Sequence, residues 1–174
     1  MSGSSLPKRT RVVIVGGGVV GCSIAYHLTK MGWQDVVLLE RQKLTSGTTW
    51  HAAGLIGQLR PSQNMTKLAK YTAELYTHLE AETGQATGFK QNGSVTIATN
   101  IERFEELKRN ASMAKVFNLA VDVIDKAEVA RRYPLINTDD VVGGTWIESD
   151  GQANPIIVVQ DTRHLGVFEY LCTP

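Results

Sequence analysis

A chain of 174 residues, 43% of them hydrophobic and 20% charged, has the size of one ordinary domain, or of one domain and part of a second. Its 18 Lys and Arg and 17 Asp and Glu leave a formal charge of +1, which gives no footing for nucleic acid or an acidic membrane as a partner. Two cysteines, Cys22 and Cys172, are too few for a disulfide framework or a zinc site, so a reducing compartment is the simpler reading.

No run approaches the ~20 apolar residues that a bilayer crossing requires. The opening "MSGSSLPKRT" lacks the apolar core of a secretory signal. Residues 1–9 are therefore expected as a disordered lead-in, and the protein in the cytoplasm, with the mitochondrial matrix as the alternative.

"RVVIV" at 11–15 is a β-branched run that stops at three glycines, as a buried parallel strand does. From Val19 to Met31 the apolar positions Val20, Ile24, Ala25, Leu28 and Met31 recur at helical spacing, and Gly32 closes the helix. "VVLLE" at 36–40 is a second buried strand, completing a right-handed βαβ unit. Residues 41–64 read as a Gly-, Ser- and Thr-rich loop too long for mere connection. A helix over 65–82 places Leu68, Tyr71, Leu75 and Leu79 on one face.

"GFKQNGSVTIAT" at 88–99 reads as two short strands around the turn pair Asn92-Gly93. A helix follows at 101–117, then a strand in "AVDVID", a short helix in "KAEVARRYP" and strand character at 141–147. Trp33 and Trp146 read as packing residues. Asp139-Asp140 and Asp150-Gly151 read as turns, with no ligand spacing that would hold a metal.

Gly16, Gly18 and Gly21 form G-x-G-x-x-G between a strand and a helix, the context that gives this pattern meaning. Gly16 permits the tight turn, Gly18 lets the backbone approach a pyrophosphate, and Gly21 lets helix and strand pack closely. The helix N-terminus would present free N–H groups, those of Val19 and Val20, to the negative charge. Glu40 ends the second strand, 19 residues after Gly21. A carboxylate there can accept from both ribose hydroxyls and repels a 2′-phosphate, which favours NAD or FAD over NADP.

The loop at 44–57 separates those two. An NAD domain usually runs from its second strand directly into another helix, whereas this chain presents Ser46, Gly47, Thr48, Thr49 and Gly54. Small hydroxyl residues and glycines let a backbone lie along an extended ligand and donate to phosphate.

"LLERQKLTSGTTWHAAGLIGQLRPS" resembles the flavin-binding region of the sarcosine and dimethylglycine dehydrogenases, within the wider family of FAD-dependent amine oxidoreductases that includes D-amino-acid oxidase. The likeness continues through "LEAETGQATGFKQNGSVTIATNIERFEELKR" and "YPLINTDDVVGGTWIESDGQANP", covering about residues 10–157. It implies an α/β chain with a Rossmann-like FAD-binding part at 10–87 and part of an α+β substrate-binding layer at 88–157.

The resemblance further implies that Glu40 and Arg41 hold the adenosine half of FAD, and that Gly47 to Leu55 wraps the flavin half. That stretch includes Thr48, Thr49, Trp50, Ala52, Ala53 and Gly54. His51 stands where these relatives attach the flavin covalently through its 8α-methyl carbon. The implied reaction is oxidation of an N-methyl amine by hydride transfer to flavin. Tetrahydrofolate enters only in full-length relatives, and an electron-transfer protein or a site-completing chain are the partners to expect.

No catalytic base is assigned. His78, His27 and Tyr76 lie on expected helices, where packing or exposure is the simpler role, and His164 lies in a stretch that leaves the family pattern. From 158 onward the sequence diverges from the relatives, so the fold is expected to be incomplete at its C-terminus, with an exposed sheet edge and uncovered apolar surface. Two other readings stay open: a non-catalytic regulatory subunit on the same scaffold, and an NAD-binding module.

Overall fold

The computed structural model describes residues 7–161 and 170–172. In chain order the elements are β1 (Val12–Val15), α1 (Val19–Lys30), β2 (Val36–Glu40), a 3-10 turn (Thr49–His51), β3 (Leu55–Ile56), α2 (Gln63–Thr83), β4 (Ser94–Ala98), α3 (Ile101–Val116), β5 (Asp122–Asp125), α4 (Lys126–Arg132), β6 (Gly143–Ile147), β7 (Gly151–Gln152), α5 (Pro155–Asp161) and β8 (Tyr170–Cys172). They fall into two units, each discontinuous in sequence.

The first unit draws on the chain up to Leu55, on Thr77–Phe89 and on the stretch from Ala153. Its sheet is parallel, in the order β1-β2-β8. Val12 stands opposite Val36 and Val15 opposite Leu39, while Leu38 stands opposite Tyr170. Ile14, Val36 and Leu38 share a core with Cys22 and Ala25 of α1 and Val159 of α5. The expected strands and helix are all present.

The buried face of α1 differs from the one its apolar spacing suggests. Gly21, Cys22, Ala25 and Tyr26 face inward, whereas Val20, Ile24 and Met31 are exposed. Small residues on the inner face let the helix lie close to the sheet: a Cβ on Gly21 would collide with the carbonyl oxygen of Gly16. Trp33 packs against this core under the guanidinium of Arg11, 4.2 Å from the ring centre.

Tyr26 is buried and donates its hydroxyl to Glu82 at 3.0 Å, and Lys30 donates to both groups. Burial, ahead of its polar neighbours, raises the pKa of Tyr26. Hydrogen bonds to Tyr26 and then Glu82 raise that of Lys30. Among the described residues β1 pairs with β2 alone, and Val13 and Val15 are 52% and 83% exposed.

The second unit comprises Ile56–Tyr76 and Lys90–Gln152. Its sheet has β6 between β4 and β5, both antiparallel to it, so that Trp146 stands opposite Val95 on one side and Asp122 on the other. Ala111 and Ala114 of α3 pack with Leu119, Val121 and Ile147, and Val129 of α4 packs with Ile124, Val141 and Trp146. Asn100 caps α3 by accepting from Arg103 N, and Asp125 caps α4 by accepting from Glu128 N, both at 2.8 Å.

One expectation fails in this unit. Asn92-Gly93 does not close a hairpin: Lys90 bridges Gln152, and the Gly93 amide donates to Asp150 O at 2.9 Å. Long-range pairing with β6 and β7 supersedes the local turn preference. On α2, Leu68 and Tyr71 are exposed, and the buried positions are Thr66, Ala73 and, in the first unit, Leu79.

Candidate dinucleotide site

The turn from β1 into α1 is built on backbone. Gly16 has φ of +108°, a conformation that suits glycine, and a Cβ there would enter open space. Gly18 is the N-cap of α1, with no side-chain bond of its own, and no acidic residue occupies the helix's first turn. The positive end of the helix dipole is thus left uncompensated by its own side chains. The amides of Gly18 and Val20 meet no acceptor among the described residues. That of Val19, expected to be free, is taken: it donates to the Thr49 hydroxyl at 3.0 Å.

Glu40, at the end of β2, reaches back into the same turn. Its Oε2 accepts from Gly17 N at 2.7 Å and its Oε1 from Gln42 N at 2.9 Å. The Gly17 amide, and then that of Gln42, hold the carboxyl below the ordinary carboxylate pKa. Each oxygen retains a lone-pair direction for another donor, and the carboxylate is half-buried, open to a ligand from the solvent side. Arg41 beside it is exposed.

The segment after β2 folds onto the glycine turn. Thr45, buried and held at a positive φ of 71°, donates its amide to Gly17 O at 3.0 Å. A threonine in that region is strained and is kept there by its surroundings. Gly17 therefore has both backbone polar groups engaged, one by Glu40 and one by Thr45. Leu44 packs over it.

Ser46, Gly47 and Thr48 are exposed, and the two hydroxyls bond no described residue. Trp50 and His51 lie on the 3-10 turn with ring centres 3.8 Å apart, both exposed. Ala52 and Ala53 are exposed, and Leu55 is 76% exposed, an apolar strip uncovered by the described chain. Gly54 has a structural reason to be glycine. A Cβ would collide with Ala153 O, and the Ala153 amide donates to Gly54 O at 2.8 Å.

These residues fit a dinucleotide: a cradle beside Gly16, amides at a helix N-terminus for a diphosphate, a carboxylate with spare acceptor capacity, and an exposed strip of hydroxyls and apolar groups. His27 is tied to its own helix by Ser23 O at 2.7 Å, His78 is exposed on α2, and burial raises the pKa of Tyr76 in the second unit. His164 lies outside the described residues, as does the side chain of Cys172.

Sequence reasoning missed two features. Thr49 is a capping residue for a distant helix, and no local pattern announces that. Asp150, read as a turn residue, is 2% exposed and accepts from Gln58 N at 2.9 Å, Gln58 Nε2 at 3.2 Å and Ser94 Oγ at 2.6 Å.

A βαβ unit with this turn, an acid at the end of its second strand and a second loop laid against the glycines defines an α/β dinucleotide-binding protein. The particular family follows from comparison: the model for FAD dependent oxidoreductases matches residues 11–164, and the chain belongs to that family.

It is 46% identical over 151 residues to mitochondrial sarcosine dehydrogenase of Homo sapiens, covering 86% of this chain and 16% of that protein. Mitochondrial dimethylglycine dehydrogenase of Rattus norvegicus is 42% identical over 147 residues, and the mitochondrial pyruvate dehydrogenase phosphatase regulatory subunit of Mus musculus 42% over 146. Each of those matches covers 84% of this chain and 17% of the relative, so the chain spans about a sixth of the length of these relatives. Among solved structures, L-proline dehydrogenase from P. horikoshii superposes with a TM-score of 0.87 at 27% identity, covering 95% of this chain and 44% of that one.

Proposed function

We propose that this chain forms the FAD-holding part of an oxidoreductase acting on N-methyl amines of the sarcosine or dimethylglycine type. The observation that carries the reading is the convergence on Gly17 of Glu40 from β2 and Thr45 from the loop beyond it, beside a helix N-terminus with uncapped amides. Identity to sarcosine and dimethylglycine dehydrogenases supports the substrate class. FAD, when bound, supplies the two-electron acceptor that takes hydride from the carbon next to the amine nitrogen.

The residues divide the work. Gly16, Gly18 and Val20 receive the pyrophosphate, Gly21 serving through the close approach of α1 to Gly16 and Val19 through its place in the first turn of α1. Glu40 accepts from the ribose hydroxyls while holding Gly17, with Arg41 beside the adenosine. Ser46, Gly47 and Thr48 line the path toward the flavin, and Trp50, Ala52, Ala53, Gly54 and Leu55 cover it. With FAD bound, His51 would be the residue of covalent attachment, its exposed imidazole supplying the nitrogen nucleophile for the flavin 8α carbon.

The substrate is a small amine carrying a carboxylate, and an electron-transfer protein or a chain completing the site are the partners this reading calls for. Tetrahydrofolate belongs to it only as a one-carbon acceptor in full-length relatives. The mitochondrial names of the relatives support a mitochondrial location. Family membership weighs against an NAD-binding module. A regulatory role on the same scaffold is the second reading, favoured by the 42% identity to a phosphatase regulatory subunit.

The test is flavin fluorescence of the chain after denaturing electrophoresis, beside His51→Ala, with the flavin content of both native samples measured. A fluorescent band lost in the variant supports the link. Flavin present in the native sample but released on denaturation removes the link and leaves the cofactor. No flavin in either sample contradicts the reading.

A further inference from the structure

Thr49 belongs by sequence to the stretch expected to wrap the flavin, yet its side chain faces the protein. It is 7% exposed, and its Oγ1 accepts from Val19 N at 3.0 Å, so a residue 30 positions away supplies the cap that Gly18 lacks. The same oxygen lies 3.0 Å from where a Cβ on Gly18 would stand, so a larger residue at Gly18 would crowd this hydroxyl. The turn that bears His51 is built on this anchor: Ala52 N donates to Thr49 O and His51 N to Thr48 O, both at 3.2 Å.

We propose that Thr49 is a positioning residue, whose hydroxyl pins the 3-10 turn to the first turn of α1 and so fixes His51 relative to the phosphate grip. This rests on the reading of His51 as the point of flavin attachment. The chemistry is that of an approach held in place: covalent attachment requires the imidazole and the carbon it attacks to be aligned, and small misplacements cost large factors in rate. A single residue, Trp50, separates anchor and nucleophile, and both lie on one turn of backbone. The Thr49 hydroxyl also has its own proton, for which no described residue is an acceptor. It can donate to a ligand oxygen while accepting from Val19.

The experiment compares the wild-type chain with Thr49→Val, which keeps the shape and removes the acceptor, and Thr49→Ser, which keeps the hydroxyl. Two quantities are followed: amide hydrogen exchange at Val19, and the rate at which flavin resistant to denaturation accumulates at saturating FAD. In Thr49→Val, Val19 exchange should rise roughly fivefold, the loss of one ordinary hydrogen bond. Covalent incorporation should slow at least tenfold while reversible FAD binding persists, and Thr49→Ser should restore both.

Unchanged Val19 exchange in Thr49→Val overturns the anchor. Raised exchange with wild-type incorporation overturns the positioning role. If Thr49→Val folds poorly, Thr49→Ala removes the same acceptor with a smaller side chain. The same two changes are then expected, and their absence counts equally against the proposal. A wild-type chain that binds FAD but never retains it through denaturation removes the His51 link and the positioning role with it, and the Val19 result separates that failure from failure of the anchor.

Discussion

Two carboxylates organise loops in this molecule, one in each unit. Glu40 accepts two backbone amides, from Gly17 and Gln42, and is half-buried with acceptor capacity to spare. Asp150 accepts one backbone amide, one side-chain amide and one hydroxyl, and is 2% exposed. The device is the same, but access differs. Asp150 is filled by the protein and holds Gln58, Ser94 and the end of β6 together. Glu40 organises its turn while leaving room for a ligand that brings hydroxyl donors. An acid that tightens a loop is therefore scaffold when its surroundings close over it and a binding group when one side stays open.

The largest effect is expected from closing the scaffold's hub. Asp150→Ala strands the buried Gln58 amide and Ser94 hydroxyl and should cost roughly 3 kcal/mol in urea denaturation. Its effect on FAD affinity should be smaller than that on stability. A loss of FAD affinity with stability unchanged would erase the distinction drawn between the two acids.

Gly21→Ala acts on the open hub without touching its carboxylate. The added methyl meets Gly16 O and pushes α1 from the turn, an overpacking that costs about 2 kcal/mol and should weaken FAD binding in parallel. Calorimetric titration of FAD alongside thermal denaturation checks both.

Glu40→Gln keeps the shape and removes the charge, for a loss of about 1 kcal/mol near neutral pH. Because hydrogen bonds from Gly17 and Gln42 lower the folded pKa of Glu40 below its ordinary 4.5, its contribution is complete above that value. It is lost as pH falls through the folded pKa. Stability of the wild type should therefore fall more steeply than that of Glu40→Gln below about pH 4.5, and parallel acid limbs would contradict the assignment.

The smallest effect belongs to Lys30→Ala. The pair with Glu82 is half in solvent, so its loss should cost less than about 1 kcal/mol and shrink further in high salt, while the Tyr26–Glu82 bond persists. Urea midpoints at two salt concentrations measure it.

Much of the first unit was legible because its signals are local. A β-branched run, a glycine turn, a helix and a second apolar strand follow one another within thirty residues, and Glu40 stands at the strand end where the pattern asks for it. What escaped was non-local. The inner face of α1 is set by how closely the helix approaches Gly16, so Gly21 and Cys22 are buried and Val20 is not. The turn at Asn92-Gly93 yielded to pairing with distant strands. Thr49 and Asp150 have ordinary neighbours in sequence, and their partners lie 30 and up to 92 positions away.

The most direct test of the central claim is titration of the chain, freed of endogenous ligand, with FAD, NAD+ and NADP+, in the wild type and in Glu40→Ala. FAD is expected to saturate one site per chain, excess NAD+ and NADP+ to fail to displace it, and Glu40→Ala to weaken its binding at least tenfold. Equal competition by NAD+, or wild-type FAD affinity in Glu40→Ala, would contradict the claim.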